Sequence, residues 1–200
     1  MNLDLNYYAN EIRHIISTAS LNYDIWRTYK DQEVRSSHIK EMNRYSLFFR
    51  TSIQAHFASL IIAIYTLYET RDDTFNIPSL LKSLETEVNF PKSTLNFLQG
   101  TYNNEAKPLW IKISILRNKV FGHRYKSQKP EASFQQANVT PNEIRALIDI
   151  SKNIINTTTH AVNKNRHSFN LSASSDTLRL LSDLKSLHEF KAIKNIDQKL

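Results

Sequence analysis

Three residues of this chain have types suited to work on a phosphate ester. Arg117, Asn118 and His123 lie within the octapeptide Leu116-Arg117-Asn118-Lys119-Val120-Phe121-Gly122-His123. An imidazole titrates near neutral pH, so His123 is suited to take a proton from an attacking hydroxyl or give one to a leaving oxygen. Arg117 carries a planar fork of N–H donors that binds phosphate oxygens bidentately and stabilises charge growing on them. Asn118 is placed to orient a substrate group or the histidine. One geometric point resists. A separation of six puts His123 about 120° around a straight α-helix from Arg117. The two converge only if the helix loosens at Gly122 or if they meet across a dimer axis.

The charge around these residues is concentrated. The chain has 200 residues, 26 Lys+Arg, 19 Asp+Glu and a net charge of +7. Residues 106–130 hold Lys107, Lys112, Arg117, Lys119, Arg124, Lys126 and Lys129 and no acid, so this one segment carries the whole excess. A basic segment of that density points to a polyanionic partner. On a helical wheel Trp110, Ile113, Val120 and Phe121 fall around Arg117, with Arg124 about 20° from it. Both arginines thus sit on the apolar face, while Lys112 and Lys119 fall on the far side, where solvated charges belong. An arginine so placed either meets a carboxylate within the fold, Glu69 or another acid of the preceding long helix, or faces an anion at a groove or interface.

The elements that position this segment read as helices. Apolar residues at three- and four-residue spacing predict a first helix from Leu3 to about Tyr29 and a long second helix from about Arg35 to Thr70. Pro78 and Pro91 stand where first-turn prolines open short helices, at about 79–88 and 92–104. A helix from Leu109 to about His123 carries the basic face, and a polar connector runs from Tyr125 to Val139. Thr140-Pro141-Asn142-Glu143 has the form of a capping box, with a helix to about Val162. Ser172 is placed to cap a last helix, and Lys191–Leu200 reads as a frayed tail. The fold class is all-α, a bundle of four or five core helices plus a short C-terminal helix, divided at about residue 170 into a bundle and an appendage.

Composition removes several function classes. There is no cysteine, hence no disulfide framework, thiol nucleophile or Cys-ligated metal. With only Gly100 and Gly122, no glycine-rich phosphate loop can be written. The histidines show no metal-ligand spacing, so no metal or cofactor is expected. The apolar run Phe57–Tyr68 is too short to span a bilayer, and no secretory signal is visible. A cytoplasmic protein without a membrane partner is therefore expected. His56, within that helix system, reads as a hydrogen-bonded core histidine.

The octapeptide resembles the HEPN domain (higher eukaryotes and prokaryotes nucleotide-binding), in particular its branch associated with abortive phage infection. That family's hallmark is an arginine, commonly followed by a polar residue, and then a histidine after four to six intervening residues; here these are Arg117, Asn118 and, after five, His123. Gly122 stands where the branch often has alanine. The aromatic and apolar helix before it, Tyr45–Glu69, also fits, and the likeness covers roughly residues 40–160. It implies a helical bundle that forms a homodimer, with two motifs facing one cleft, and in active members cuts RNA without metal. Arg117, Asn118 and His123 would then be catalytic, and Lys112, Lys119, Arg124, Lys126 and Lys129 would contact RNA. A toxin or phage-defence role implies an antitoxin protein as a partner. Two other readings stay open: a HEPN-like module that binds RNA or nucleotide without cutting it, and an all-α interaction domain whose basic helix docks on an acidic protein.

Overall fold

A computed structural model of the chain describes residues 4–122 and 130–197. Among the described residues there is no strand, and the chain is all-α. In order the helices are α1 (Leu5–Lys30), α2 (Gln32–Ser37), α3 (Ile39–Arg44), α4 (Ser46–Tyr68), α5 (Ile77–Glu85), α6 (Lys92–Thr101), α7 (Lys107–Leu116), α8 (Pro130–Ala137), α9 (Pro141–Asn163) and α10 (Ser174–Asp197). Two stretches, Tyr102–Ala106 and Arg117–Gly122, wind with the wider π-helical spacing. In a π turn each N–H reaches back five residues instead of four. Residues 92–122 are therefore one helical run, α6 and α7 joined by a π turn and closed by another.

The chain forms two compact units. One comprises the chain up to Ser20 together with Ala58–Asn170. Its interior takes Ile12 and Ile16 from α1, Leu60, Ile61, Ile64, Leu67 and Tyr68 from α4, and Leu147, Ile148, Ile154 and Ile155 from α9, all essentially without exposure. Several polar groups that enter this interior are hydrogen-bonded, although Arg13 Nε, Ser20 Oγ and His167 Nε2 are buried without a partner among the described residues. The Tyr68 hydroxyl is 2.8 Å from Ser151 Oγ, and burial pushes its pKa well above the usual phenol value. The Tyr8 hydroxyl donates to the Asn76 carbonyl and accepts from the Asn76 amide, each at 3.0 Å, tying α1 to the residue that caps α5. Glu143 and Thr140 form the capping box that the sequence predicts, which starts α9.

The other unit comprises Leu21–Phe57 and the chain from Leu171. Tyr29, Met42, Phe49 and Leu181 form its buried cluster, with Ile25, Val34, Ile53 and Leu184 packed around them. His56 is half-buried and its Nδ1 lies 2.8 Å from Asn22 Oδ1, as expected of a core histidine. Asp24 accepts from the Ser172 hydroxyl and the Ala173 amide, which fixes the start of α10.

Three expectations need correction. The single helix predicted over Arg35–Thr70 is three, broken at His38 (φ −126°) and Tyr45 (φ −113°). Around the first break, side chains compete for the helix carbonyls. Ser36 and Ser37 both donate to the Glu33 carbonyl, and the His38 imidazole lies 3.0 Å from the Val34 carbonyl. The predicted connector Tyr125–Val139 contains α8, opened by Pro130 as a first-turn proline and closed at Asn138. Asn138 takes the left-handed conformation (φ 42°) that asparagine tolerates. The tail expected to fray from Lys191 is helical to Asp197.

α4 also exceeds what its most apolar stretch suggested. At 23 residues it is long and apolar enough to cross a bilayer, alone among the described helices. Leu47 and Phe48 in its first half are exposed, while its second half buries Leu60, Ile61, Ile64, Leu67 and Tyr68. Truncating that face leaves a cavity. Ile64→Ala is expected to lower unfolding stability by about 2–5 kcal/mol, read from the urea midpoint.

Candidate functional site

Arg117 begins the π turn that ends the run from Lys92, and its surroundings are now explicit. The guanidinium lies over the ring of Tyr65, a residue of α4, with Cζ 4.6 Å from the ring centroid. Nη1 donates to Asn118 Oδ1 at 2.9 Å. Gly122 lies close against the same arginine. A Cβ there would stand 3.0 Å from the Arg117 carbonyl oxygen, a tight approach that glycine avoids, and 3.5 Å from Nη1, an ordinary contact distance. Tyr65 is itself supported by Trp110 of α7. Their rings are 5.9 Å apart and tilted by 31°, and the indole N–H donates to the Tyr65 carbonyl at 3.4 Å.

The structure thus brings Arg117 and Asn118 together and adds Tyr65 and Trp110. The ion pair weighed for Arg117, with Glu69 or another acid of the helix before it, does not form: Arg117 pairs with no carboxylate among the described residues. The reason lies in the neighbourhood. The residue of α4 that faces the guanidinium is an aromatic, and a cation over an aromatic face is held by the ring quadrupole rather than by an opposite charge. Arg117 and Asn118 are both half-buried, so solvent reaches the pair. His123, Arg124, Lys126 and Lys129 lie outside the described residues.

The two described lysines singled out from the sequence take other partners than solvent. Lys112, expected on the solvated side of the helix, is half-buried and pairs with Glu143 while also donating to the Asn138 carbonyl at 3.0 Å. Lys119 Nζ donates to Gln136 Oε1 of α8 at 2.7 Å. The wheel placed both correctly on the side away from Arg117, but that side faces α8 and α9. It could not show those helices arriving there.

Tyr65, Trp110, Glu143 and Gln136 are the residues that reading by motif passes over. Trp110 was legible as a neighbour of Arg117 on the wheel, and Glu143 as a cap. Nothing local marks Tyr65, whose aromatic type is ordinary for a core helix.

With fold and geometry in hand, the class is an all-α chain that presents an Arg-Asn pair at the end of a basic helix. The chain belongs to the HEPN AbiU2 family: the family model, described as AbiU2, matches residues 4–185. No curated protein and no solved structure matches the chain.

Glu143 has two duties, capping α9 and pairing with Lys112. The Lys112 ammonium, followed by the Thr140 amide, holds its carboxyl below the usual glutamate value. A carboxyl lowered in the folded state stabilises the fold above its unfolded pKa, and that stability is lost as pH falls through the folded value. Glu143→Gln is therefore expected to cost about 1 kcal/mol at pH 7. The difference from the parent should shrink as pH drops below about 4. Urea unfolding at the two pH values checks it, and a deficit that persists in acid would contradict the assignment.

Proposed function

We propose that the protein is a metal-independent endoribonuclease, a toxin or phage-defence effector of the cytoplasm. In this reading it acts as a homodimer whose two Arg117-Asn118-x4-His123 motifs share one cleft, with an antitoxin protein as its natural restraint. The observation that carries it is the state of Arg117: a half-buried guanidinium, oriented by Asn118 and Tyr65, with no described carboxylate to neutralise it. A carboxylate is the common partner of a structural arginine, and among the described residues none takes that place. An arginine kept without one suits an anion that arrives from outside, and the basic segment around it suits a polyanion.

The chemistry follows from the residue types. His123 takes the proton of a ribose 2′-hydroxyl, whose oxygen attacks the adjacent phosphorus. Arg117 stabilises the charge that builds on the non-bridging oxygens, and Asn118 holds the arginine in line through its side-chain oxygen. The P–O5′ bond breaks, and the 5′-oxygen leaves with a proton from the histidine of one of the two motifs. The products are a 2′,3′-cyclic phosphate and a 5′-hydroxyl. DNA, lacking the 2′-hydroxyl, is inert. Lys119, Arg124, Lys126 and Lys129 hold the flanking phosphates, while Lys112 contributes with its charge shared by Glu143.

Purified protein in EDTA is expected to cut RNA to cyclic-phosphate ends, and Arg117→Ala or His123→Ala should abolish cutting. RNA left intact by the parent protein across a broad panel of substrates would sink the nuclease reading. Retained single-stranded RNA binding, weakening with salt at a log–log slope of about −0.7 per phosphate contacted, would then leave a binding module. No RNA affinity at low salt would leave a protein-docking domain.

A further inference from the structure

We infer that Tyr65 is a positioning residue of the Arg117 site, and that its ring rather than its hydroxyl does the positioning. The inference rests on the nuclease reading only for what Arg117 does to substrate; how Arg117 is held is a separate matter. A guanidinium carries five N–H donors and no acceptor. In most folds it is fixed by a carboxylate, which consumes two of those donors and cancels the charge. Here fixation uses two contacts of another kind. Asn118 Oδ1, a neutral acceptor, takes one N–H of Nη1 at 2.9 Å, and the Tyr65 ring takes the cation at 4.6 Å. Neither contact cancels the charge, and most of the donors remain for phosphate oxygens.

The ring is well placed for this because it cannot drift. Tyr65 sits on α4 beside Ile64, Leu67 and Tyr68, whose burial fixes the rotation of that helix about its axis. The Trp110 ring lies 5.9 Å from that of Tyr65, and the indole N–H donates to the Tyr65 carbonyl. Trp110 comes seven residues before Arg117, two turns earlier on the same helical run, so one element supplies both the support of the platform and the cation that rests on it. Gly122 lies against the same residue, Arg117, where a Cβ would press on the carbonyl oxygen at 3.0 Å.

The test replaces the ring and then restores it. Tyr65→Leu removes the aromatic face and keeps an apolar side chain, whereas Tyr65→Phe removes only the hydroxyl. In RNA cleavage in EDTA, Tyr65→Leu is expected to lower kcat by about 10- to 100-fold, with a smaller change in KM. Tyr65→Phe should recover most of that loss, and the pH profile should keep its shape in both. A second readout needs no catalysis. In the NMR spectrum of arginine-labelled protein, the Arg117 side-chain protons should be shifted upfield by the ring current in the parent and in Tyr65→Phe, and should lose that shift in Tyr65→Leu. If the parent cuts no RNA the nuclease reading fails, yet the NMR comparison still decides how Arg117 is held. Arg117 resonances that are the same in the parent and in Tyr65→Leu would overturn the inference. So would a Tyr65→Phe protein as impaired as Tyr65→Leu, which would assign the role to the hydroxyl.

Discussion

A positive charge held in place without a negative one is the constraint around which this site is arranged. Arg117 lies among apolar and aromatic side chains, where a carboxylate would be the common solution and is missing. Two features make that tolerable. The residue is half-buried rather than enclosed, so water still screens it, and the Tyr65 ring supplies an attraction that does not depend on an ion. The sequence cooperates by omission: no Asp or Glu occurs anywhere in residues 106–130. The second half of α4 must in turn be rigid, because any rotation of that helix would carry Tyr65 away from the guanidinium. Its buried residues Leu60, Ile61, Ile64, Leu67 and Tyr68 provide the rigidity.

The neighbouring lysines show the contrast. Lys112 reaches Glu143 and the carbonyl of Asn138, and so joins α7 to the end of α8 and the start of α9. Lys119 joins the π turn to α8 through Gln136. These charges are spent on holding elements together. Within the basic segment, Lys112 and Lys119 thus also tie elements together, while Arg117 contacts Asn118 and the Tyr65 ring. Because Glu143 is at once cap and counter-ion, the beginning of α9 and the placement of α7 are set by one carboxylate.

Much of this was legible in the residues. The all-α class followed from spacing, the capping box at Thr140-Glu143 from its four-residue pattern, and the hydrogen-bonded state of His56 from its apolar surroundings. The motif at Arg117 led to the family. What was not legible has a physical cause in each instance. Met42, Tyr45 and Phe49 keep helical spacing across the break at Tyr45, because short helices in series preserve a periodicity that one long helix would also show. α8 is short and mixes polar with apolar residues, which leaves little periodicity to read, and its Gln136 accepts from Lys119. The contact between Tyr65 and Arg117 spans 52 positions, and no local pattern encodes it. The π turns are invisible for a different reason: widening the hydrogen-bonding step by one residue changes no residue type. Pro108 is the one hint. It stands just after Tyr102–Ala106, where a ring without an N–H would otherwise collide with the carbonyl four residues back.

A π turn is topologically an α-helix that has absorbed one extra residue. The turn over Arg117–Gly122 starts at the arginine and runs up to the residue before His123. A rigid α-helix would translate each inserted residue into a rotation of about 100° and a rise of about 1.5 Å, redirecting everything downstream. A segment able to switch its hydrogen-bonding step takes up the addition locally, as slack in a hinge. The seat of Arg117 on Tyr65 is set from upstream of that turn, through α4 and α7.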